Sequence, residues 1–448
     1  MRMSKRLPKL DRRSCALLVT LMLGMCLAAL FSSTANDRAF GATARTSLPT
    51  PITGITIAGG GDSASIAGRI ANAYALHAKV VRTEVSWSLF EPESPNAIDQ
   101  STLSSLDTLV SDAAARGIRV ILLVDSTPCW ASSAPASILS KCVPGNDGEA
   151  GSWPPSNAGT YGAFVAFLAG RYGNNLAAIE VWNEPDQANE AYLAGPDKAQ
   201  HYAAILRAAY PAIKGADPRT PVLAGSIVGS NGAFLRELYA AGIKGYYNGL
   251  SVHFYNLTLA GLRYTHEVQV ANGDFTPLWL NEFGWSSCWP AQPVEQEQAC
   301  VTAQTQAANL ANLYRSVAHT PWIAAAITYK LLSAENEDFG VLTENGARKP
   351  SFAALRNVFV SPFGKPSPVT VNLTRRGGRV VASGSGPVGD YMELEAFRGR
   401  RAVYRALFTL NRFNRYTISL PKKLGTSKLS VKVFQYWMGA AGDGRASI

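Results

Sequence analysis

Two glutamates stand in matching surroundings. One lies in Ile179-Glu180-Val181-Trp182-Asn183-Glu184-Pro185-Asp186, the other in Leu278-Trp279-Leu280-Asn281-Glu282-Phe283-Gly284-Trp285. Each follows an apolar run of strand length and carries aromatic neighbours. Cleavage of an acetal bond needs such a pair, with one carboxyl acting as acid and then base while the other serves as nucleophile or base. The two segments therefore point to glycoside hydrolysis, provided that the fold brings the two carboxyls face to face.

Further side chains fit the same chemistry. The run Val252-His253-Phe254-Tyr255 ends a third apolar stretch, and Val81-Arg82-Thr83-Glu84 places a cation inside a fourth. An inward arginine needs an acidic partner, which Glu282 or Glu84 would supply. His253 alone reads as a packing histidine; at a strand end opposite two carboxylates it reads as part of the site. Trp87, Trp130, Trp285 and Trp289 follow apolar runs and either stack on sugar faces or pack as lids.

The elements that must hold these residues are legible in the hydrophobic pattern. Strands are expected at 52–58, 80–85, 120–124, 178–182, 222–225, 250–254, 278–282 and 326–330. Helices are expected between them at 63–78, 103–116, 158–172, 198–214 and 294–318. Alternating strands and helices imply right-handed parallel crossovers, and eight strands imply an α/β fold of the (β/α)8 TIM-barrel type, with reactive groups at the C-terminal strand ends. Gly59-Gly60-Gly61 lacks the rest of a dinucleotide fingerprint and reads as a tight turn. Three prolines in the segment 362–368 mark a linker, and alternating runs beyond it imply a small all-β, sandwich-like module. The expected organisation is a leader over 1–35, a barrel over 36–362, a linker over 363–368 and a β-rich accessory module over 369–448.

The chain has 448 residues, 47% of them hydrophobic and 17% charged, which excludes a mainly disordered or fibrous protein. Its net charge of +10 is unevenly spread: +5 over residues 1–35, −5 over 36–365 and +10 over 366–448. A mildly acidic central region is not that of a nucleic-acid binder, so no nucleic acid is expected as a partner. The basic tail reads either as solvated strand faces or as a contact for a cell wall or an anionic glycan. Arg2, Lys5, Arg6, Lys9, Arg12 and Arg13 precede an apolar run from Cys15 to Phe31, the pattern of a signal peptide or, uncleaved, of a membrane anchor. The expected location is secreted, cell-surface or periplasmic. Of six cysteines, Cys15 and Cys26 lie in the leader, and Cys129 with Cys142 and Cys288 with Cys300 each close a short loop. Local disulfides suit an oxidising compartment, although spacing leaves other pairings open. No cysteine spacing matches a zinc site, and no metal or cofactor is expected.

Trp182-Asn183-Glu184-Pro185 and Asn281-Glu282-Phe283-Gly284 resemble the signatures of clan A glycoside hydrolases, especially families 39 and 5, over roughly 51–360. The resemblance implies a retaining, double-displacement enzyme on β-linked oligo- or polysaccharides, with Glu184 as acid/base and Glu282 as nucleophile. By the same resemblance Asn183 holds the sugar 2-hydroxyl, Tyr255 orients the nucleophile, His253 binds substrate or its neighbours, and Arg82 pairs with the nucleophile. Glu184 is then expected to have a raised pKa, through Glu282 and its aromatic surroundings. The sequence departs from the clan at the eighth strand, where Ile327-Thr328-Tyr329-Lys330 puts Tyr329 or Lys330 in the place of a sugar-floor tryptophan. Action within polysaccharide chains is expected from the cleft tryptophans and the extra module. A binding barrel without catalysis, and a transglycosylase on the same site, are the competing readings.

Overall fold

Eight short segments rich in β-branched and small apolar residues form the parallel strands β1 (Ile52–Thr56), β2 (Val80–Ser86), β3 (Arg119–Asp125), β4 (Leu176–Val181), β5 (Val222–Ile227), β6 (Gly249–Phe254), β7 (Leu278–Phe283) and β8 (Ile323–Thr328). They pair in sequence order, and β1 closes on β8 through Ile52↔Ala325 to Ile55↔Thr328, giving a closed barrel. The computed structural model describes residues 50–188, 191–228, 232–255, 259–289, 300–335, 337–365, 367–387, 391–425, 428–435 and 443–448. The expected leader, with Cys15 and Cys26, lies outside the described residues. Among them, no helix is long and apolar enough to cross a membrane.

One crossover helix follows each strand: α1 (Ser63–Ala75), α2 (Gln100–Ala115), α3 (Ala158–Tyr172), α4 (Lys198–Ala216), α5 (Ala233–Ala240), α6 (Leu259–Ala271), α7 (Ala303–Val317) and α8 (Pro350–Val360). Their starts are written locally. Asp62, Asp99 and Thr302 each accept a hydrogen bond from the backbone N–H three residues on, at 2.7, 2.7 and 3.1 Å, which satisfies an otherwise orphaned helix donor. Helix α7 begins at this Thr302 cap, later than the hydrophobic pattern suggests; residues 294–299 of the expected helix are outside the described residues.

Strand alternation sorts the side chains into two layers. One set packs outward against the helices in the main core, including Ile55, Val81, Leu122, Val181, Leu250 and Phe283. The other plugs the barrel interior with Val80, Ile121, Ala178, Leu223, Trp279, Ala325 and Ile327. A period of two along each strand then sets Arg82 above Val80, Leu123 above Ile121 and Glu180 above Ala178, toward the C-terminal mouth.

Beyond α8 the chain forms a three-stranded antiparallel sheet and a four-stranded one. With β9 (Thr370–Arg376), β10 (Arg379–Ser385), β11 (Tyr391–Arg398), β12 (Arg401–Thr409), β13 (Arg415–Ser419), β14 (Ser430–Gln435) and β15 (Gly444–Ser447), their orders are β13-β10-β9 and β12-β11-β14-β15. Val380, Ala382, Met392, Leu394, Ala396, Val431 and Val433 fill the space between them. Strand β15 escapes a sequence reading because four residues carry too little alternation. The proline-rich segment is tied down: Asn312 of α7 accepts from the Ser367 N–H at 3.1 Å and donates to the Pro387 carbonyl at 2.7 Å. Asn414 reaches Asn309 at 2.7 Å, and the Arg412 guanidinium lies 3.6 Å from the Trp289 ring centroid.

Candidate active site

The mouth of the barrel opens into a cavity of about 980 Å³ whose lining includes Arg82, Asn183, Glu184, His253, Tyr255, Glu282 and Tyr329. Local irregularities in three strands bring these residues together. At the end of β4 the chain turns through left-handed backbone at Trp182 (φ 68°) and Glu184 (φ 36°). Non-glycine residues in that region cost about 1–3 kcal/mol each and persist where their surroundings hold them. Here the Trp182 indole is fully buried and donates to the Tyr192 carbonyl at 2.7 Å. Between β6 and β7 the register slips by one, from Val252↔Leu280 to His253↔Glu282, which sets those two side by side on the inward face. A second slip, between Gly225 and Ile227 of β5, leaves Ser226 free to turn inward.

Arg82, almost completely buried, joins two strand ends. Its Nε donates to Glu180 at 2.6 Å and its Nη1 to Glu282 at 2.5 Å, with Nη2 3.4 Å from Asn183 Oδ1. Ser226 and Ser251 each donate to the other Glu180 oxygen at 2.5 Å. Burial alone would raise the Glu180 carboxyl, but the charges of Arg82 and His253 and these hydrogen bonds hold it down at about 2. The second oxygen of Glu282 accepts from the Tyr255 hydroxyl at 2.5 Å. Burial and the charge of Glu282 push that phenol well above its ordinary range, so it stays a donor.

Glu184 stands on the other side of His253. His253 Nδ1 lies 2.9 Å from Glu184 Oε1 and 3.5 Å from Glu282 Oε2, and Gln187 Nε2 donates to Glu184 Oε2 at 2.6 Å. The expected rise in the Glu184 pKa is not what this arrangement produces. Burial does favour the neutral acid, yet the hydrogen bond and charge of His253, the Gln187 amide and the charge of Arg82 outweigh it, and the carboxyl sits below its ordinary value. Burial pushes His253 down, but Glu282 and Glu184 more than reverse this and raise its pKa. The resting proton thus belongs to the histidine–carboxylate pair, with the histidine side favoured.

The tryptophans need correction. Trp87 is fully buried between Trp130, Tyr161 and Phe164, with its Nε1 donating to Glu91 at 2.8 Å. Trp130 packs edge-on against Trp87 and donates to the Glu91 carbonyl at 2.7 Å. Trp285 is buried edge-on against Phe254, and Trp289 lies under Arg412. None of the four lines the cavity. The strand-end loops put these indoles into hydrophobic packing, where their large apolar area is removed from water. The aromatic rings that do line it are Tyr192, Phe254, Tyr255, Tyr329 and Phe339. Tyr329 follows β8, stands edge-on to Tyr255 at 5.7 Å and to Phe339 at 5.9 Å, and is joined to Lys330 by a cis peptide. Lys330, beside it, is paired with Glu337 at 2.5 Å.

Sequence reasoning missed Glu180, Ser226, Ser251 and Gln187; of the two partners it offered for Arg82, Glu282 pairs with it and Glu84 does not, Glu180 being the second partner. The signal for Glu180 was available: a glutamate in the middle of a buried parallel strand requires a cation. Glu84 faces the cavity instead, where enclosure by its walls raises its carboxyl, the charge of Arg82 lowers it and that of Glu282 adds to the rise, leaving it above its ordinary value. Cys129–Cys142 and Cys288–Cys300 form disulfides in the segments after β3 and β7.

Among the described residues, Glu184, His253 and Glu282 are the one group close enough to hold a metal ion, with one donor atom of each within 4.8 Å of the others. Their oxygens already accept from Arg82, Tyr255, His253 and Gln187, and the nearby guanidinium opposes a second cation. The donor set does not fit a resident metal. Carboxyl oxygens this close suit the separation of about 5–5.5 Å found where one carboxylate attacks carbon, and leave less room than the roughly 6.5–9.5 Å needed to seat a water between them.

The overall architecture recurs in solved structures. A family 39 glycoside hydrolase from the gut symbiont Bacteroides cellulosilyticus WH2 superposes with a TM-score of 0.56 at 16% identity, covering 82% of this chain and 81% of that one. A monomeric beta-xylosidase from Caulobacter crescentus CB15 gives 0.52 at 14%, covering 83% and 94%. An endo-beta-1,4-mannanase from Thermotoga petrophila gives 0.50 at 12%, covering 89% and 97%. At such identities the likeness is one of fold. No curated protein matches the chain in sequence. The family model described as Cellulase (glycosyl hydrolase family 5) matches residues 45–314, more than half of the chain and all of the segments that carry Arg82, Glu184, His253 and Glu282. The chain belongs to glycosyl hydrolase family 5.

Proposed function

We propose that the protein is an exported, retaining hydrolase of β-glycosidic bonds in oligo- or polysaccharides, with Glu282 as nucleophile and Glu184 as acid/base. The observation that carries this reading is the closeness of the two carboxyls beside His253, with one oxygen of each within 4.8 Å of the other. In the first step a Glu282 oxygen attacks the anomeric carbon, the bond to the glycosidic oxygen breaks, and the proton held by His253 and Glu184 passes from Glu184 to that oxygen. A glycosyl ester on Glu282 results. Its formation removes the negative charge beside Glu184, which then takes a proton from water as the water attacks the same carbon and frees Glu282. Arg82 and Tyr255 keep the nucleophile aimed between turnovers, and Asn183 faces the position of the sugar 2-hydroxyl.

The cavity volume lies at the upper end of the usual 300–1,000 Å³ range, roughly, for small-molecule sites, which supports a substrate of several sugar units and action within chains. The edge-on Tyr329 serves as the floor of the cleaved sugar's subsite. Export is supported by the basic and apolar leader sequence and by two local disulfides. The organisation proposed is a leader over 1–35, a catalytic barrel over 36–362, a connecting segment over 363–368 and an accessory module over 369–448 that contacts an anionic glycan or the cell wall.

Release of reducing ends from a panel of β-linked polysaccharides, with Glu184→Gln and Glu282→Gln beside the wild type, tests the assignment. Wild-type release with loss by orders of magnitude in both folded variants is expected. Undiminished hydrolysis in the variants would refute the roles. Saturable sugar binding without turnover would move the protein to a binding barrel, and products longer than the substrate to a transglycosylase.

A further inference from the structure

Of the fourteen basic residues in 366–448, the fold collects eight at one end of the β module. The strands run seven to nine residues in β9 to β12, so the module is about 25 Å long at roughly 3.3 Å per residue. One end stands on the barrel, through Ser367 and Pro387 against Asn312, Asn414 against Asn309 and Arg412 against Trp289. Register places the β9–β10 and β11–β12 turns at the opposite end, since Thr370 pairs with Ser385 and Tyr391 with Thr409 at the barrel side, while Arg376 pairs with Arg379 and Arg398 with Arg401 at the far side. The segment after β13 closes the same end across both sheets: Leu420 N–H donates to the Val380 carbonyl at 2.9 Å, and Arg398 donates to the Leu424 carbonyl.

Eight cations meet there: Arg376 and Arg379 from the first turn, Arg398, Arg400 and Arg401 from the second, and Lys422, Lys423 and Lys428 from the third. All eight are exposed. The sequence of the three segments, 376–379, 398–401 and 420–428, contains no aspartate or glutamate. Among the described residues none of the eight pairs with a carboxylate, whereas elsewhere in the module Arg405 pairs with Glu395, and Lys432 and Arg445 with Asp443. So dense a like-charged cluster repels itself and contributes nothing to the core, which makes it costly unless an anion covers it.

We propose that this far end is an anchoring site for an anionic polysaccharide. The inference deepens the reading that the module touches an anionic glycan, and it does not depend on which glutamate does which step. Guanidinium forks match sugar carboxylates and sulfates in pairs of hydrogen bonds. The three turns carry no aromatic side chain to stack on a base, and their one large apolar residue besides Leu420, Leu424, is buried. A membrane site would offer exposed apolar groups for insertion, and a single-stranded nucleic-acid site would offer stacking rings.

The test uses the full chain carrying Glu282→Gln, so that binding is read without turnover, with and without Arg400→Gln, Arg401→Gln, Lys422→Gln and Lys423→Gln together. Probes are sodium polygalacturonate, neutral xylan, a DNA duplex and phosphatidylserine vesicles, each titrated at low and at physiological salt. The expected result is polygalacturonate binding that weakens steeply with salt, exceeds that of the other three probes, and falls by about tenfold or more in the quadruple variant. In an otherwise wild-type background the same four changes should leave hydrolysis of a soluble neutral substrate and the melting temperature unchanged. Equal polygalacturonate binding by the quadruple variant, no binding at all, or tighter binding of DNA or vesicles would each overturn the anchor. Loss of hydrolysis in the wild type with binding intact would instead count against the catalytic reading.

Discussion

His253 Nδ1 faces Glu184 Oε1 across 2.9 Å, and the two groups are displaced in opposite directions, the carboxyl below its ordinary range and the imidazole above it. A proton lent by the histidine can therefore reach the leaving oxygen through the carboxyl. In the mechanism proposed for this family 5 enzyme, the supply of acid runs through a group that the sequence suggested as a contact to substrate or its neighbours.

The pH profile should show that dependence. A histidine with a raised folded pKa stays protonated to a pH above about 6.5, its ordinary value. Then kcat/KM should be level below that point and fall as pH rises through the higher value. The stabilisation from the charged histidine follows the same sign, present in full below about pH 6.5 and lost above. In His253→Asn the alkaline limb should move and kcat drop. A wild-type limb centred below pH 6.5 would remove His253 from the proton supply.

Glu180 should matter for stability. Replacing it by Gln leaves the Arg82 charge half-compensated in the barrel, and breaking a buried pair costs about 3–5 kcal/mol. Since its folded pKa is about 2, well below the free value, its contribution is complete above about pH 4.5 and disappears as pH falls toward 2. Urea unfolding of wild type and Glu180→Gln should show a large gap at pH 7 that narrows by pH 3. A gap independent of pH would mean that the loss is one of packing.

Tyr255→Phe removes the hydroxyl that donates to Glu282 at 2.5 Å while keeping the ring against Tyr329 and Phe339. Hydrogen bonds to charged groups contribute about 1.5–3 kcal/mol, so kcat should fall by roughly 10- to 150-fold with little change in KM. An unchanged kcat would show that Arg82 alone orients the carboxylate.

Trp87 and Tyr329 should separate cleanly in steady-state and melting measurements. Trp87→Ala empties a fully buried site and should cost about 3–5 kcal/mol of stability, with KM unchanged in the folded fraction. Tyr329→Ala should raise KM several-fold with a small change in melting temperature. The reverse pattern would return the tryptophan to the cleft and demote the tyrosine.

The barrel, the module and the two glutamate segments were legible in the chain because each is a local signal: apolar runs of strand length, helical spacing between them, and short motifs at strand ends. The resemblance, with the need of an inward arginine for an acidic partner, put Arg82 beside the nucleophile. What local patterns cannot report is which side chains meet. The partnership of Arg82 with Glu180 reaches from β2 past β3 to β4, 98 residues along the chain, and the pairing of His253 with Glu282 rests on a one-residue slip of register. The fates of Trp87 and Tyr329 were decided by loop packing, which sends one ring into the core and the other into the cavity. The same holds at the far end of the module, where cations from three separate turns converge only because antiparallel strands return them to one place. Sequence specifies elements through short-range periodicity; burial, proton sharing and charge density arise from contacts between residues far apart in the chain, and those the folded barrel and sheets decide.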